Sequence, residues 1–313
     1  MRPLTPIPPT LASGPFTVAE ADKHGITRDM LRHGRFAHLV GDVYAVAADA
    51  RFPLVRAFAM QKVEPRAILS HHTAATFWRI PVPAHSVGHV TVPRGLLRSV
   101  VHVAHVHETR HPQSVLADGH RVTPPLRTFL DLADHLSLAD AVVLGDAAIR
   151  SGLVTRQALI DETAPASHRR GARVARRAAG LARERVDSPR ETRLRLLLVS
   201  AGLPEPEVNV AIVTSDGQFI ATPDLRYRRS RVAIEYDGRQ HVEDRRQWGR
   251  DISRREGYDD AGWRVIVIRA EDFLRPWATV HKIWRILRER GEPGLPEELN
   301  RIPWLGPRAL GAA

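Results

Sequence analysis

Cysteine is absent from the 313 residues, which excludes disulfides, thiolate zinc sites, iron–sulfur clusters and any cysteine nucleophile, and suits a reducing cytoplasm. Lysine is scarce: it occurs only at Lys23, Lys62 and Lys282, so 43 of the 46 basic residues are arginine. No glycine-rich stretch runs into one of these lysines, which excludes a P-loop nucleotide site and leaves no expected small-molecule cofactor. No run approaches the roughly 18 apolar residues of a membrane span. The opening MRPLTPIPPT sets prolines where a secretion signal needs an unbroken apolar core. A cytoplasmic protein with no membrane partner is the expectation.

Positive charge is in excess. Against 35 acidic residues the basic set leaves a net charge of +11, which favours polyanions and makes DNA the leading partner. Arginine offers a planar donor fork that grips phosphate at two points, although GC-rich coding would produce the same skew. Apolar content of 43% is ordinary for globular chains, and the length suits two compact units with an appendage in a mixed α/β fold.

Along the chain, Thr17 to His24 reads as a short helix, Gly25-Ile26 as a turn, and Thr27 as the cap of a second helix ending near His33 before Gly34. Arg35 to Val46 alternates around Gly41-Asp42 as a β-hairpin. Helix, turn, helix and wing make residues 12–50 a winged helix-turn-helix that would present Arg28 and Arg32, with Lys23 and Arg35 nearby, to DNA. A helical cap with solvated charges is the alternative. Residues 51–160 read as an α/β domain with no evident catalytic set. Its His105 and His107 share a strand face, but alternation places no third ligand, so structural histidines are preferred there to a metal site, as they are for His71 and His72. Residues 161–187 read as a basic helical linker whose Arg169, Arg173, Arg176 and Arg177 share one side, either as a phosphate contact or as a solvated face.

Residues 188–290 carry the chemistry. Ser188, Pro189 and Glu191 open a helix with a capping-box pattern, and Leu194, Leu197 and Leu198 form its buried stripe. Two strands, Gln218 to Tyr227 and Arg231 to Asp237, are joined by a basic turn. In the second, Glu235 and Asp237 point away from Val232, Ile234 and Tyr236. If the turn is a two-residue loop at Arg229-Ser230, Asp224 lies opposite Glu235 with β-carbons about 4.5 to 5.5 Å apart. Clustered carboxylates repel unless a cation neutralises them. Mg2+ or Mn2+ suits this all-oxygen set, with Asp224 and Glu235 as ligands; solvent-exposed acids on a hairpin are the alternative. Val242 to Ala261 reads as a charged helix, Trp263 to Ile268 as a strand, and Trp277 to Arg290 as a helix whose Trp277, Val280, Ile283, Trp284 and Leu287 form a core stripe, followed by an irregular tail over 291–313.

Two resemblances extend this reading. The segment TVAEADKHGITRDMLRHGRFAHLVGDVYAV resembles the amino-terminal DNA-binding domain of AbiEi-type antitoxins, and SHHTAATFWRIP, VTVP and RVTPPLRTFLDLAD continue that likeness into the middle region. The segments PDLRYRRSRVAIEYDGRQH and RDISRREGYDDAGWRVIVI resemble the PD-(D/E)XK nuclease superfamily, and within it the very-short-patch-repair (Vsr-like) endonucleases. This second likeness implies a restriction-endonuclease-like α/β/α domain in which Asp224 and Glu235 bind the metal, Glu191 completes the site, and His241 acts as an acid–base group near the phosphate. Asp237 stands where the superfamily has lysine, so Arg239, Arg246 or His241 would have to supply the positive group. The expected function is a Mg2+-dependent DNA endonuclease. The alternative is a non-catalytic DNA-binding repressor or antitoxin with a degenerate nuclease fold, and an RNA-processing enzyme is a third reading. Oligomeric state is not set by the sequence.

Overall fold

The computed structural model describes residues 6–95, 103–165, 170–237 and 254–301. The fold is mixed α/β, and among the described residues no helix is long and apolar enough to cross a membrane. The chain divides into two compact units, Met1–Leu136 with Leu153–Arg177, and Ser137–Gly152 with Ala178–Ala313.

The first unit begins with α1 (Pro9–Ala12), β1 (Phe16–Thr17), α2 (Val18–Asp22), α3 (Arg28–Leu31), β2 (Phe36–Val40) and β3 (Val43–Val46). Thr17 caps α2 reciprocally: its hydroxyl accepts the Glu20 amide at 3.2 Å while the Glu20 carboxylate accepts the Thr17 amide at 2.7 Å. Both helices are shorter than their sequence pattern predicts. The chain reverses at Gly25, which has φ +70°, and α3 ends after one turn because the hairpin begins at Phe36. Strand β3 lies between β1 and β2, and Phe16, Ile26, Leu31 and Phe36 bury a small core beneath the helices.

The same unit continues through α4 (Pro53–Val63), β4 (Ile68–Leu69), α5 (His71–Phe77), β5 (Gly88–Pro93), β6 (Ala104–Thr109), β7 (Val115–Ala117), β8 (His120–Val122) and α6 (Pro125–Leu132). Its five-stranded sheet has the order β6-β5-β4-β8-β7, with β5 and β6 parallel and His89 beside His105. Helix α4 crosses β5 so closely that a β-carbon at residue 88 would lie 2.5 Å from the Pro53 carbonyl oxygen. Only glycine fits there. Helix α7 (Leu138–Arg150), grouped with the middle region by its sequence, belongs to the second unit, and α8 (Arg156–Thr163) returns to the first. The unit boundary falls within α9 (Ala172–Leu181), which buries Ala172, Ala175, Ala178 and Ala179 and exposes Arg173, Arg176 and Arg177. Arg169 lies outside the described residues.

The second unit comprises α7, α10 (Pro189–Ser200), β9 (Glu207–Val208), β10 (Ile212–Val213), β11 (Phe219–Ala221), β12 (Leu225–Tyr227), β13 (Val232–Tyr236), helical residues 254–260 (α11), β14 (Arg264–Ile268) and α12 (Pro276–Glu289). Its main sheet runs β14-β13-β12-β9, with β13 and β14 parallel. One face packs Leu225, Val232, Ile234 and Ile266 against leucines of α10 and against Val280, Ile283 and Leu287 of α12. On the other face Ala233 packs with Tyr258 of α11, Trp263, Ile212 and Ala221. Burial on both faces explains the near-continuous apolar text of β13 and β14.

Three sequence expectations change here. The strand foreseen over 218–227 is two, β11 and β12, in different sheets, because Pro223 has no amide to donate and breaks the ladder. Trp277 is 44% exposed and does not join the core stripe of α12. Residues 291–301 are irregular as expected but docked: Leu295 and Leu299 pack on the core, and the Asn300 amide donates to the Ala201 carbonyl.

A buried ion pair ties α7 to α10. Arg195 is fully buried and donates to Asp146 at 3.2 Å and to Glu205 at 3.0 Å, while Asp146 also accepts from the Arg183 amide and the Thr192 hydroxyl. Removing one partner strands the other charge in the interior. Asp146→Ala is therefore expected to cost about 3–5 kcal/mol in urea unfolding, whereas Asp29→Ala, whose pair with Arg32 is solvent-exposed, should change stability by less than about 1 kcal/mol.

Candidate active site

Strands β12 and β13 pair with Leu225 opposite Ile234, Arg226 opposite Ala233 and Tyr227 opposite Val232. The loop between them is thus centred on Arg229-Ser230, and the next step of the same register sets Asp224 alongside Glu235. Because Leu225 and Ile234 face the apolar core, Asp224 and Glu235 share the opposite side of the sheet. Pro223 ends the ladder at this point, which leaves the Tyr236 amide to be taken by the Asp224 carboxylate at 2.6 Å. Asp224 is held by backbone rather than by a flexible side chain.

Glu235 is held from above by α11. Arg254 donates to one carboxylate oxygen and the Tyr258 hydroxyl to the other, both at 2.8 Å. The two residues stand four apart on one helix, so they meet the strand from one face. Burial, with the charge of Glu235, pushes the Tyr258 hydroxyl well above its usual range and keeps it a donor. A cleft of about 230 Å³ opens here, lined by Asp224, Glu235, Asp237, Arg254, Arg255 and Arg269, among others. A larger cavity of about 490 Å³ in the first unit has no carboxylate in its lining.

Burial raises the Asp224 carboxyl to about 6, helped by the charges of Glu191 and Glu235 and opposed by the Tyr236 amide. Glu191 is also raised, chiefly by burial. Its carboxylate is committed elsewhere: it accepts from the Asp187 amide at 2.8 Å and from the Asn209 side chain at 2.7 Å. Asn209, whose backbone sits at φ +48°, also donates its amide to the Asp224 carbonyl. It therefore links the two acids.

Among the described residues, the one trio of His, Asp or Glu donor atoms lying within 4.8 Å of one another is His71, His89 and His107. Asp224, Glu235 and Glu191 therefore do not form a three-carboxylate ligand set, and neither does the combination with Asp237. Asp224 and Glu235 remain as a pair. Asp237 lines the cleft, and its backbone amide donates to the Ile268 carbonyl. His241, Arg239 and Arg246 lie outside the described residues. Of the residues assigned to DNA, Lys23, Arg28 and Arg32 are exposed, with Arg32 paired to Asp29 at 3.1 Å. Arg35 lies partly buried over the Phe36 ring.

Sequence reading missed Asn209, Arg254, Tyr258, Arg255 and Arg269. The spacing of Arg254 and Tyr258 was a usable signal, since i and i+4 share a helix face. It also missed the histidine trio, whose members come from separate elements of the first unit. No protein-family model matches the chain, and no curated protein matches it.

The raised Asp224 carboxyl has a stability consequence of definite sign. A carboxyl at about 6 in the fold, against 3.8 for the ordinary group, binds its proton more tightly folded than unfolded. Stability is then lost as pH rises from about 4 through 6. In EDTA at about pH 8, Asp224→Asn, which retains an acceptor for the Tyr236 amide, should exceed the native protein in stability by about 1–3 kcal/mol. The gain should vanish near pH 4. Chemical unfolding at the two pH values measures it, and an equally stable variant at both would contradict the assignment.

Proposed function

We propose that the second unit is a Vsr-like endonuclease domain of the PD-(D/E)XK type, restriction-endonuclease-like in its α/β/α layering, that hydrolyses phosphodiester bonds in DNA with Mg2+ or Mn2+. The single observation that carries this reading is the side-by-side placement of Asp224 and Glu235 in an arginine-lined cleft, with the Asp224 carboxylate made costly by burial and by its acidic neighbours. The donor set fits the ion. Mg2+ is commonly held by one or two carboxylates, with water and substrate phosphate completing its shell, so a third protein acid is not required.

Asp224 and Glu235 would hold the ion. When bound, it supplies activation of water and neutralisation of charge at the scissile phosphate. The Tyr236 amide fixes Asp224, and Arg254 with Tyr258 fixes Glu235. Arg255 and Arg269 line the cleft, where they meet the phosphate oxygens of a bound strand. Glu191 acts through Asn209 as a positioning residue. His241 is assigned proton transfer. In the first unit, residues 12–50 act as a winged helix-turn-helix of the AbiEi type that holds the duplex through Lys23, Arg28, Arg32 and Arg35, and the exposed arginines of α9 add phosphate contacts. The setting is cytoplasmic.

A second reading rests on two specific features: Asp237 occupies the position of the superfamily lysine, and Glu235 is already neutralised by Arg254 at 2.8 Å. Both suit a retired nuclease scaffold in a DNA-binding repressor or antitoxin. Incubating the purified chain with supercoiled and mismatched DNA in Mg2+, Mn2+ or EDTA separates the two. The nuclease reading expects metal-dependent strand breakage that Asp224→Ala abolishes and Tyr258→Phe slows by about 10–100-fold, as for an orienting partner of a metal ligand. Breakage that survives Asp224→Ala rejects the site, and retention of DNA without breakage supports the repressor.

DNA affinity should fall steeply with salt. Replacing Arg28 or Arg32 by alanine is expected to lower the slope of log affinity against log salt by about 1 for each phosphate that the arginine neutralises. Fluorescence anisotropy with one duplex at several salt concentrations reads this directly, and unchanged slopes would remove these residues from the interface.

A further inference from the structure

Seven of the chain's 16 histidines gather in one place in the first unit. His71 opens α5, with His72 beside it; His85 and His89 lead into and lie on β5; His105 and His107 lie on β6; His135 follows α6. Their rings touch in a continuous set, with His71 stacked on His107 at 3.6 Å between centroids, His105 against His107 at 4.5 Å, and His135 edge-on to His71 at 5.4 Å. Gly88 is what permits this, since the close crossing of α4 over β5 fixes the strand that carries His89.

We propose that His71, His89 and His107 bind a divalent transition-metal ion, zinc before others. One nitrogen from each ring lies within 4.8 Å of the other two. His89 Nδ1 and His107 Nε2 already stand 3.0 Å apart, sharing one proton between two lone pairs. An ion with bonds of about 2.0–2.1 Å in tetrahedral geometry separates its ligand nitrogens by about 3.3 Å. Replacing the shared proton by the ion lengthens that separation by only a few tenths of an ångström, and it also requires the rings, now nearly in line for His89 and His107 and stacked for His71 and His107, to rotate until their lone pairs meet at one point. His71 Nδ1 is engaged by the Ser70 hydroxyl at 3.0 Å, which leaves Nε2 as its ligand atom and fixes the ring by an outer partner, as metal-binding histidines commonly are fixed.

Two independent features point to a cation here. His72 Nδ1 and His85 Nε2 are buried with no hydrogen-bond partner among the described residues, and both rings flank His89. A buried imidazole nitrogen without a partner is costly, and a nearby cation or its bound water would offset that cost. His71 also holds φ +50°, a left-handed conformation at the first residue of a helix that costs a non-glycine residue about 1–3 kcal/mol. The rings are in the right state for a metal as well: burial, first of all, holds His71 near 2, His89 near 3 and His107 near 4, so all three are neutral at physiological pH. Imidazole selects zinc-like ions over Mg2+. The exposed His105 and His135 border the trio, and either of them or water completes four ligands.

The test uses untagged full-length protein stripped with EDTA and dialysed against Zn2+. The expected content is one zinc per chain, retained by Asp224→Asn, lost in the double variant His89→Asn/His107→Asn, and accompanied by a rise in unfolding temperature that Mg2+ does not produce. A stripped native protein that takes up no zinc, or a double variant that binds zinc as the native chain does, overturns the proposal. Because the double variant could misfold, the native protein is also loaded with Co2+. Intense visible bands of a four-coordinate site support the trio, and the weak spectrum of a six-coordinate ion overturns it.

Discussion

The pairing of β12 with β13 governs everything in the second unit's cleft. Side chains alternate along a strand, so a slip of one residue would turn Glu235 into the apolar core and bring Ile234 to the cleft. Two features resist that slip. Leu225, Tyr227, Val232 and Ile234 are all buried on the α10 and α12 side, and the parallel partner β14 matches β13 residue by residue from Val232 to Tyr236. The hydrophobic pattern therefore sets the position of Asp224 and Glu235, although neither belongs to the apolar core.

Two of the ion pairs of this unit show opposite uses of burial. Arg195 with Asp146 is enclosed and fully hydrogen-bonded at the carboxylate, and it fastens α7 to α10 without any opening to solvent. Glu235 with Arg254 is partly open, with the arginine side chain 39% exposed. An arginine with access to water gives up its partner at small cost, because solvent replaces the lost interaction. On the proposed nuclease reading, Arg254 would release Glu235 to the ion and turn to the substrate phosphate. The first pair is architectural, and the second lines a cleft and is open to solvent.

Local patterns in the sequence carried much of this architecture. The helix caps at Thr27 and Ser188, the alternation of β13, the Arg229-Ser230 loop and the leucine stripe of α10 each follow from residues within a few positions of one another, and the structure contains all of them. What was not legible depended on non-local or subtractive effects. Pro223 divides a run that alternates correctly, because alternation reports side chains and is blind to a missing amide. Glu191 fits both a cap and a catalytic acid by sequence; the side chain of Asn209, eighteen residues on, and the Asp187 amide decide how its oxygens are used. Helix α7 reads as the end of the middle region until the partner of Asp146 is known to be Arg195.

The histidines make the same point from the other side. His89 and His107 are eighteen residues apart, and His71 comes from a helix start, so no short motif could have marked them as a set. Their assembly matters for the acids as well. Affinity for a given set of ligands generally rises from the hard divalent ions toward zinc, so carboxylates such as Asp224 and Glu235 do not by themselves exclude zinc in favour of Mg2+. A chain whose proposed chemistry depends on Mg2+ at an oxygen pair gains selectivity if scarce zinc is taken up first by imidazoles elsewhere. On the two proposals together, the neutral rings of the first unit would provide that preference by ligand type alone, and two metal chemistries would share one cysteine-free chain.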